Sequence, residues 1–298
     1  MDRPVWVVIS LCIVGFVVVS GCSVKIPAAA VTPQTPVVAA EVPVIDRSNL
    51  TVTFIDVGQG DAIWIVSPYN TTMLIDAGES DTVAKVIDVI EPVAYINFVV
   101  ATHPHSDHIG GMTTILDTYR IGQFVDSGYP HTTSVYENLL TVIENKPVLY
   151  TNVKNGDTIR FSPEIDVKVL NPQDEFFDEI NDNSVVLLMT YRDVSFLFAG
   201  DAGEAAEKVY VRSLRDVTVL KVPHHGSDTG TSDYLLSRIS PKISVISVGP
   251  NNQYSHPDDL TIVHLKTTMS KIYRTDIDGT ITITTDGNDY TVITTPSV

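Results

Sequence analysis

Three imidazoles and one carboxylate fall within six positions, His103-Pro104-His105-Ser106-Asp107-His108. Alternate residues of an extended turn project side by side, so His103 and His105 can share one metal ion. Asp107 and His108 then point to a second. Neutral imidazole and carboxylate are the donors that zinc-like or manganese-like divalent ions prefer. A single histidine is more often a satisfied core residue. Four candidate ligands at H-x-H-x-D-H spacing, followed by Gly110-Gly111, point instead to a metal centre.

Such ligands need strands to deliver them. The apolar run Ile96 to Ala101 predicts a buried strand that ends just before His103. Leu50 to Ile55, Ala62 to Val66 and Thr72 to Ile75 read as strands, with a Gly-rich turn between the first two. Val185 to Thr190 and Val194 to Phe198 read as a hairpin. Val217 to Val222 and Ile243 to Val248 are further strands, and Ile281 to Thr285 pairs with Tyr290 to Thr294 across Asp286-Gly287-Asn288. Helical spacing covers Thr82 to Ile90, Ile109 to Tyr119, Glu204 to Leu214, Tyr234 to Ile239 and Asp259 to Thr268. This is the pattern of a layered α/β domain. Each cluster of chemical side chains lies just past a strand, where open α/β sheets gather their sites.

Several of these clusters resemble one family in their order. His103 to His108, Leu74-Ile75-Asp76-Ala77-Gly78, Phe198-Ala199-Gly200-Asp201 and Lys221-Val222-Pro223-His224-His225-Gly226-Ser227 resemble the motifs of the metallo-β-lactamase superfamily. Phe54-Ile55-Asp56-Val57-Gly58-Gln59-Gly60-Asp61-Ala62, Ser255-His256-Pro257 and Arg274 to Gly279 narrow the likeness to one branch. That branch holds the hydrolase-like domain of ComEC-type competence proteins. The resemblance covers roughly residues 50 to 290 and implies an αββα sandwich, two mixed sheets between helices, with metals at one edge.

The resemblance also implies roles. Asp201 bridges both ions; the alternative for an Asp there is to cap the helix that starts near Glu204, and its place in the motif order favours bridging. His225 takes the ligand position of the Pro-Gly-His-Gly pattern, and His224 takes the place of its glycine. His224 then contacts an anionic substrate or braces a ligand. The usual third histidine of the first ion is missing. The matching stretch is Asn181 to Val185, so Asp182 or Asn183 binds through oxygen, or water fills the place. That leaves the first site weak and favours harder ions such as manganese. Asp76 holds a ligand histidine or the motif loop in place. Asp56 and Asp61 line the crevice or satisfy turn amides. His256 on position alone is a loop histidine or a site group; the resemblance favours a proton donor or phosphate contact. His264, Asp276 and Asp278 read as structural.

The chain has 298 residues, 44 % hydrophobic, enough for one large core. Val5 to Ser20 is uncharged and leads into Gly21-Cys22. Small residues before a cysteine predict a lipoprotein-type signal over 1–22 with acylation of Cys22; an uncleaved anchor is the alternative. Either tethers the protein to a membrane, outside the cytoplasm. Residues 23–48, rich in Ala, Val, Pro and Thr, read as a spacer, and 49–298 as the hydrolase domain. Cys12 and Cys22 are the only cysteines, so that domain has no disulfide and no thiolate ligand.

Net charge is −17, a field that repels long polyanions. Residues 208–274 hold nine Lys or Arg against five Asp or Glu. A mildly basic mouth in an acidic shell suits a small or local anionic substrate. The expected activity is metal-dependent hydrolysis of a phosphodiester by a metal-activated water, with Asp107 and Asp201 at the ions and His224 or His256 as proton donor. The partner is a small nucleotide, a single-stranded nucleic acid or an envelope polymer. The alternatives are lactone, β-lactam or ester hydrolysis on the same ions, or a metal-stabilised binding module without turnover.

Overall fold

The computed structural model describes residues 49–90 and 93–296. The expectations for residues 1–48 lie outside them. Among the described residues no helix is long and apolar enough to cross a membrane.

The chain opens with β1 (Leu50–Phe54), β2 (Ile63–Val66), β3 (Thr72–Ile75), α1 (Val83–Ile90) and β4 (Tyr95–Ala101). Two short helices, α2 (Ser106–Ile109) and α3 (Met112–Thr118), carry the ligand motif into β5 (Arg120–Asp126). Then come α4 (Ser134–Glu144), β6 (Leu149–Asn152), β7 (Ile165–Asn171), β8 (Val186–Tyr191), β9 (Val194–Phe198) and α5 (Glu204–Tyr210). The chain continues through β10 (Val219–Lys221), α6 (Asp233–Ile239), β11 (Ile243–Ile246) and α7 (Asp259–Thr267). It closes with β12 (Lys271–Arg274), α8 (Thr275–Asp278), β13 (Thr280–Thr285) and β14 (Tyr290–Thr295).

Two sheets result. The first runs β14-β13-β1-β2-β3-β4-β5-β6 and the second β12-β11-β10-β9-β8-β7. Each is mixed. In the first, β3, β4, β5 and β6 are parallel neighbours and the rest antiparallel. In the second, β9 to β12 are parallel and β7-β8-β9 antiparallel. Strand alternation explains the layering. Leu50, Val52 and Phe54 of β1 point to the same apolar layer as Leu187, Met189, Phe196 and Phe198 of the second sheet. The opposite face of the first sheet packs Leu74, Ile96 and Val99 against α1, α3 and α4. The outer face of the second packs Leu197, Leu220 and Ile246 against α5, α6 and α7. Helix α1 buries Val83, Val86 and Ile90, a one-sided helical stripe. Each fully buried Leu, Ile or Phe contributes about 1.5–3 kcal/mol to holding these layers. This is the αββα sandwich.

One helix departs from expectation. Ile109 to Tyr119 is not continuous: the chain breaks at Gly110-Gly111 between α2 and α3. A Cβ on Gly111 would sit 2.4 Å from the carbonyl oxygen of Ala77. The two glycines let the ligand loop press against the turn that follows β3. Residues 120–171 hold β5, α4, β6 and β7, none of them among the elements expected from the sequence.

Candidate metal centre

The parallel strands of both sheets end toward one site. Asp76 follows β3, His103 follows β4, Asp201 follows β9, and His225 follows β10. Backbone hydrogen bonds join these loops. Asp61 N donates to Asp107 O (3.1 Å), Ala77 N to His108 O (2.8 Å), Val185 N to Thr102 O (2.8 Å) and His224 N to Gly200 O (3.1 Å). Gly60, at φ +139°, passes so close to Asp107 that a Cβ would lie 2.4 Å from its carbonyl oxygen. Only glycine lets the turn after β1 reach the motif loop.

His103 Nε2 lies 3.0 Å from His105 Nδ1 and 3.8 Å from Asp201 Oδ2. Asp201 Oδ1 is 3.3 Å from His108 Nε2, and its Oδ2 is 3.6 Å from His225 Nε2. Asp107 Oδ2 lies 3.2 Å from His225 Nε2 and 3.9 Å from His108 Nε2. Among the described residues three threesomes are tight enough to grip an ion: His103, His108 and Asp201; Asp107, His108 and His225; and Asp61, Asp76 and His108. All three draw on His108, whose Nδ1 is held by Asp76, so its Nε2 can serve one ion only. His105 meets His103 but falls in none of them. The Asp201 carboxylate reaches toward His103, His108 and His225 alike. It caps no helix; the amide of Ala206 in α5 bonds to Asp182 Oδ1 instead (3.2 Å).

The ligand rings are fixed from behind. Asp76 Oδ2 is 2.8 Å from His108 Nδ1 and also accepts from the Thr102 hydroxyl at 2.7 Å. His225 Nδ1 meets the Ser247 carbonyl at 2.9 Å. Asp61 is buried, with Oδ2 2.7 Å from the ammonium of buried Lys221 and Oδ1 3.6 Å from His225 Nδ1. Asp56 accepts the Gly58 amide within its turn.

Charge divides the histidines. Burial, reinforced by the neighbouring His108 ring, holds His103 well below its ordinary 6.5, and burial lowers His105 as well. Burial opposes charge on His108 too. The carboxylates of Asp201, Asp76 and Asp107 overcome it and hold His108 well above 6.5. His225 is raised against its burial by Asp201 and Asp107. Burial alone would raise Asp201 and Asp107, but the imidazoles of His108 and His225 pull both below the ordinary carboxylate value.

The donor set fits divalent cations. His108 Nε2, His225 Nε2 and Asp201 Oδ1 are buried, converge on one another and have no hydrogen bond. Natural proteins pair such atoms, so this convergence calls for a cation. Imidazole and carboxylate suit zinc or manganese.

The third-ligand expectation is corrected. Asp182 turns toward the start of α5, and its backbone carbonyl accepts from Asn171. All three hydrogen bonds of the Asn183 amide go to backbone atoms of Phe177 and Glu179, which braces the preceding loop. Asn181 faces the site instead. It lines a cavity of about 270 Å³ with His105, Asp201, His224, Tyr254 and His256. Its Nδ2 is 3.3 Å from His224 Nε2, and its Oδ1 is buried without a partner. The polar run marked the right loop, but contacts with β7 and α5 decide which residue of it faces inward.

His224 and His225 both adopt left-handed backbone, φ 48° and 52°. His224 stands where the family pattern has glycine, and it takes the conformation glycine favours, at a cost of order 1–3 kcal/mol. Thr229 Oγ1, 3.0 Å from its Nδ1, and Asn181 hold it. His256 faces His224, with ring centroids 5.6 Å apart. Burial and the flanking His224 and His225 rings lower its pKa. His131 brings its ring to 6.2 Å from His105. His264 lies 3.7 Å from Asp233, between α6 and α7. Asp276 pairs with Arg274, and Asp278 accepts its amide.

Residues at or behind the site that escaped the sequence reading include Asn181, Lys221, Tyr254 and Gln59, whose buried Nε2 lacks a partner. Lys221 carried a usable signal, because a lysine ending an apolar strand flags a buried charge.

Comparison with known proteins agrees with this geometry. The chain is 26% identical over 251 residues to ComE operon protein 3 of Bacillus subtilis (strain 168), covering 77% of this chain and 32% of that protein. It is 28% identical over 246 residues to Recombination protein 2 of Haemophilus influenzae, covering 80% and 29%. The chain therefore spans about a third of the length of these curated relatives. Among solved structures it superposes on a metallo hydrolase from the archaeon Ignicoccus hospitalis, with TM-score 0.54, 16% identity and coverage of 79% of this chain and 98% of that one. It also superposes on the metallo-beta-lactamase fold protein YhfI of Bacillus subtilis, with TM-score 0.53, 10% identity and coverage of 76% and 95%. At those identities the two structures speak to fold alone. The family model described as the metallo-beta-lactamase superfamily matches residues 55–249, and the chain belongs to that superfamily.

Proposed function

We propose that the protein is a metal-dependent phosphodiester hydrolase, held at a membrane outside the cytoplasm through its N-terminus. The observation that carries the hydrolase reading is the convergence of orphaned donor atoms from His108, His225 and Asp201 beside an open cavity. The apolar run ending at Gly21-Cys22 supports the tether.

His103 and His105 would hold one divalent ion and Asp107, His108 and His225 the other, with the Asp201 carboxylate beside both. When bound, such ions supply Lewis acidity and lower the pKa of water. The protein's own residues do the rest. Asp76, Ser247 and the Asp61–Lys221 pair fix the ligand rings, so the site needs no rearrangement to act. His224, with Nε2 3.9 Å from Asp201 Oδ2, faces the cavity and is the group that protonates the departing alkoxide. His256, its ring 5.6 Å from that of His224 and further from Asp201 along the cavity wall, is a substrate contact. Gln59 and Asn181 offer amides to phosphate oxygens.

The test is hydrolysis of bis(p-nitrophenyl) phosphate by the full chain with zinc and with manganese, beside Asp201→Ala. Turnover that requires both metal and Asp201 is expected. A folded, metal-loaded protein that turns over nothing with either ion overturns this reading. It would then favour a binding module without turnover, which the Asn181 amide in place of a third histidine supports.

A further inference from the structure

We propose that Tyr254, seated on His256, is a stacking platform for an unpaired nucleobase, so that the cavity selects phosphodiesters of nucleosides over those of aliphatic alcohols. The proposal rests on the hydrolase reading and adds what the phosphate carries.

Tyr254 lines the same cavity as Asp201 and His225, yet it is 56% exposed. Its ring lies nearly parallel to that of His256, at 18°, with centroids 5.8 Å apart. The His256 ring is in turn 5.6 Å from His224, whose Nε2 is 3.9 Å from Asp201. Aromatic rings thus step outward from the carboxylate at the centre to solvent.

The loop that carries them is pinned. The Asn252 amide donates to the carbonyls of Gly249 (3.0 Å) and His256 (2.7 Å), and accepts the amides of Tyr254 (3.2 Å) and His256 (3.0 Å). At one end Gly249 N donates to Gln59 Oε1 at 3.2 Å, and at the other Asp258 N donates to Gly226 O at 2.9 Å. Both anchor points belong to loops of the metal centre. The fold therefore holds an aromatic face in water, at a fixed place beside the chemistry, without using it for packing.

The shape of that face chooses its occupant. The Tyr254 ring lies nearly parallel to that of His256 and offset from it, and more than half of the residue is open to solvent. A flat base stacks on a single open face in an offset arrangement. A trimethylammonium group wants enclosure by several rings, and a single face offers none. A glycerol or ribitol chain has no π-face to stack. A base locked in a duplex cannot lie flat on the ring, so the base is unpaired. Anchoring one base beside the cleaved phosphate also suits a chain whose net charge of −17 repels long duplexes.

The test compares two diesters on the full manganese-loaded chain, a thymidine dinucleotide and glycerophosphoglycerol, as wild type, Tyr254→Ala and Tyr254→Phe. Wild type is expected to favour the dinucleotide. Tyr254→Ala is expected to cut that preference about tenfold, through KM rather than kcat, while Tyr254→Phe keeps it. A second measurement is independent of turnover: the Kd of a phosphorothioate dinucleotide weakens about tenfold in Tyr254→Ala. An unchanged preference and an unchanged Kd in Tyr254→Ala overturn the platform and leave the hydrolase reading intact. So does a preference for glycerophosphoglycerol that depends on Tyr254. If neither diester is cleaved but dinucleotide binding still depends on Tyr254, the hydrolase reading falls and the platform stands.

Discussion

The two halves of the metal centre are built differently. The half formed by Asp107, His108 and His225 is braced from behind by Asp76, the Ser247 carbonyl and the buried Asp61–Lys221 pair. The other, open half, formed by His103 and His105 with Asp201 between the two, has only the Thr102 hydroxyl 3.1 Å behind His103; His105 and Asp201 line the cavity, as Asp107 and His225 do, and the Asn181 amide lies on the same wall. Bracing behind a ligand raises its basicity and fixes its aim, whereas an open side leaves room for substrate. The braced half is therefore expected to hold metal more tightly than the open half.

The largest effect is expected where bracing is electrostatic. Lys221→Met leaves Asp61 charged and unpaired in the interior, and should destabilise the fold by about 3–5 kcal/mol in denaturant unfolding. Adding Asp61→Asn should recover part of that loss. A Lys221→Met protein as stable as wild type would mean that the pair braces nothing. Next in size is the difference in metal affinity. Chelator titration followed by metal analysis should empty the open half first, with at least about a tenfold gap in affinity, since losing such outer support costs about 10–100-fold. Asn181→His should narrow that gap by supplying a third imidazole. Loss of both ions in one step would break the comparison.

Proton competition sharpens it further. His108 and His225 are raised above 6.5, so they carry protons near neutrality that metal must displace. Affinity at the braced half should therefore fall as pH drops toward 6.5, with proton release visible by calorimetry in two buffers. His103 and His105 are lowered and already neutral there, so the open half should lose affinity only below 6.5. The smallest effect concerns backbone strain. His224→Gly places glycine where φ is 48°, and should raise thermal stability by about 1 kcal/mol while lowering turnover. A drop in stability would show that the Thr229 and Asn181 contacts outweigh the strain.

Legibility in the sequence follows the same division. The residues from His103 to His108 are close in sequence, so spacing alone paired His103 with His105. Asp76, Asp201 and His225 were found by motif order, because each ends a strand. Asn181 was missed in favour of Asp182 and Asn183, since all three are polar and only tertiary contacts orient them. Tyr254 was missed because nothing local marks a tyrosine left exposed by a loop pinned through Asn252. The fold was legible for most apolar runs that end in a clear turn. It failed over residues 120–171, where even the one-sided Ser134–Glu144 and the alternating Ile165–Asn171 went unassigned, and at Gly110-Gly111, where close packing overrode a helical pattern.

The backbone bonds that sew the motif loops together have a consequence for the life of the protein. Asp61 to Asp107, Ala77 to His108 and His224 to Gly200 are tied by amides that need no ion. Such ties hold the loops by main-chain bonds rather than through the ligand side chains, so a metal-free chain is expected to keep the loops in register and to take its ion from the surrounding medium.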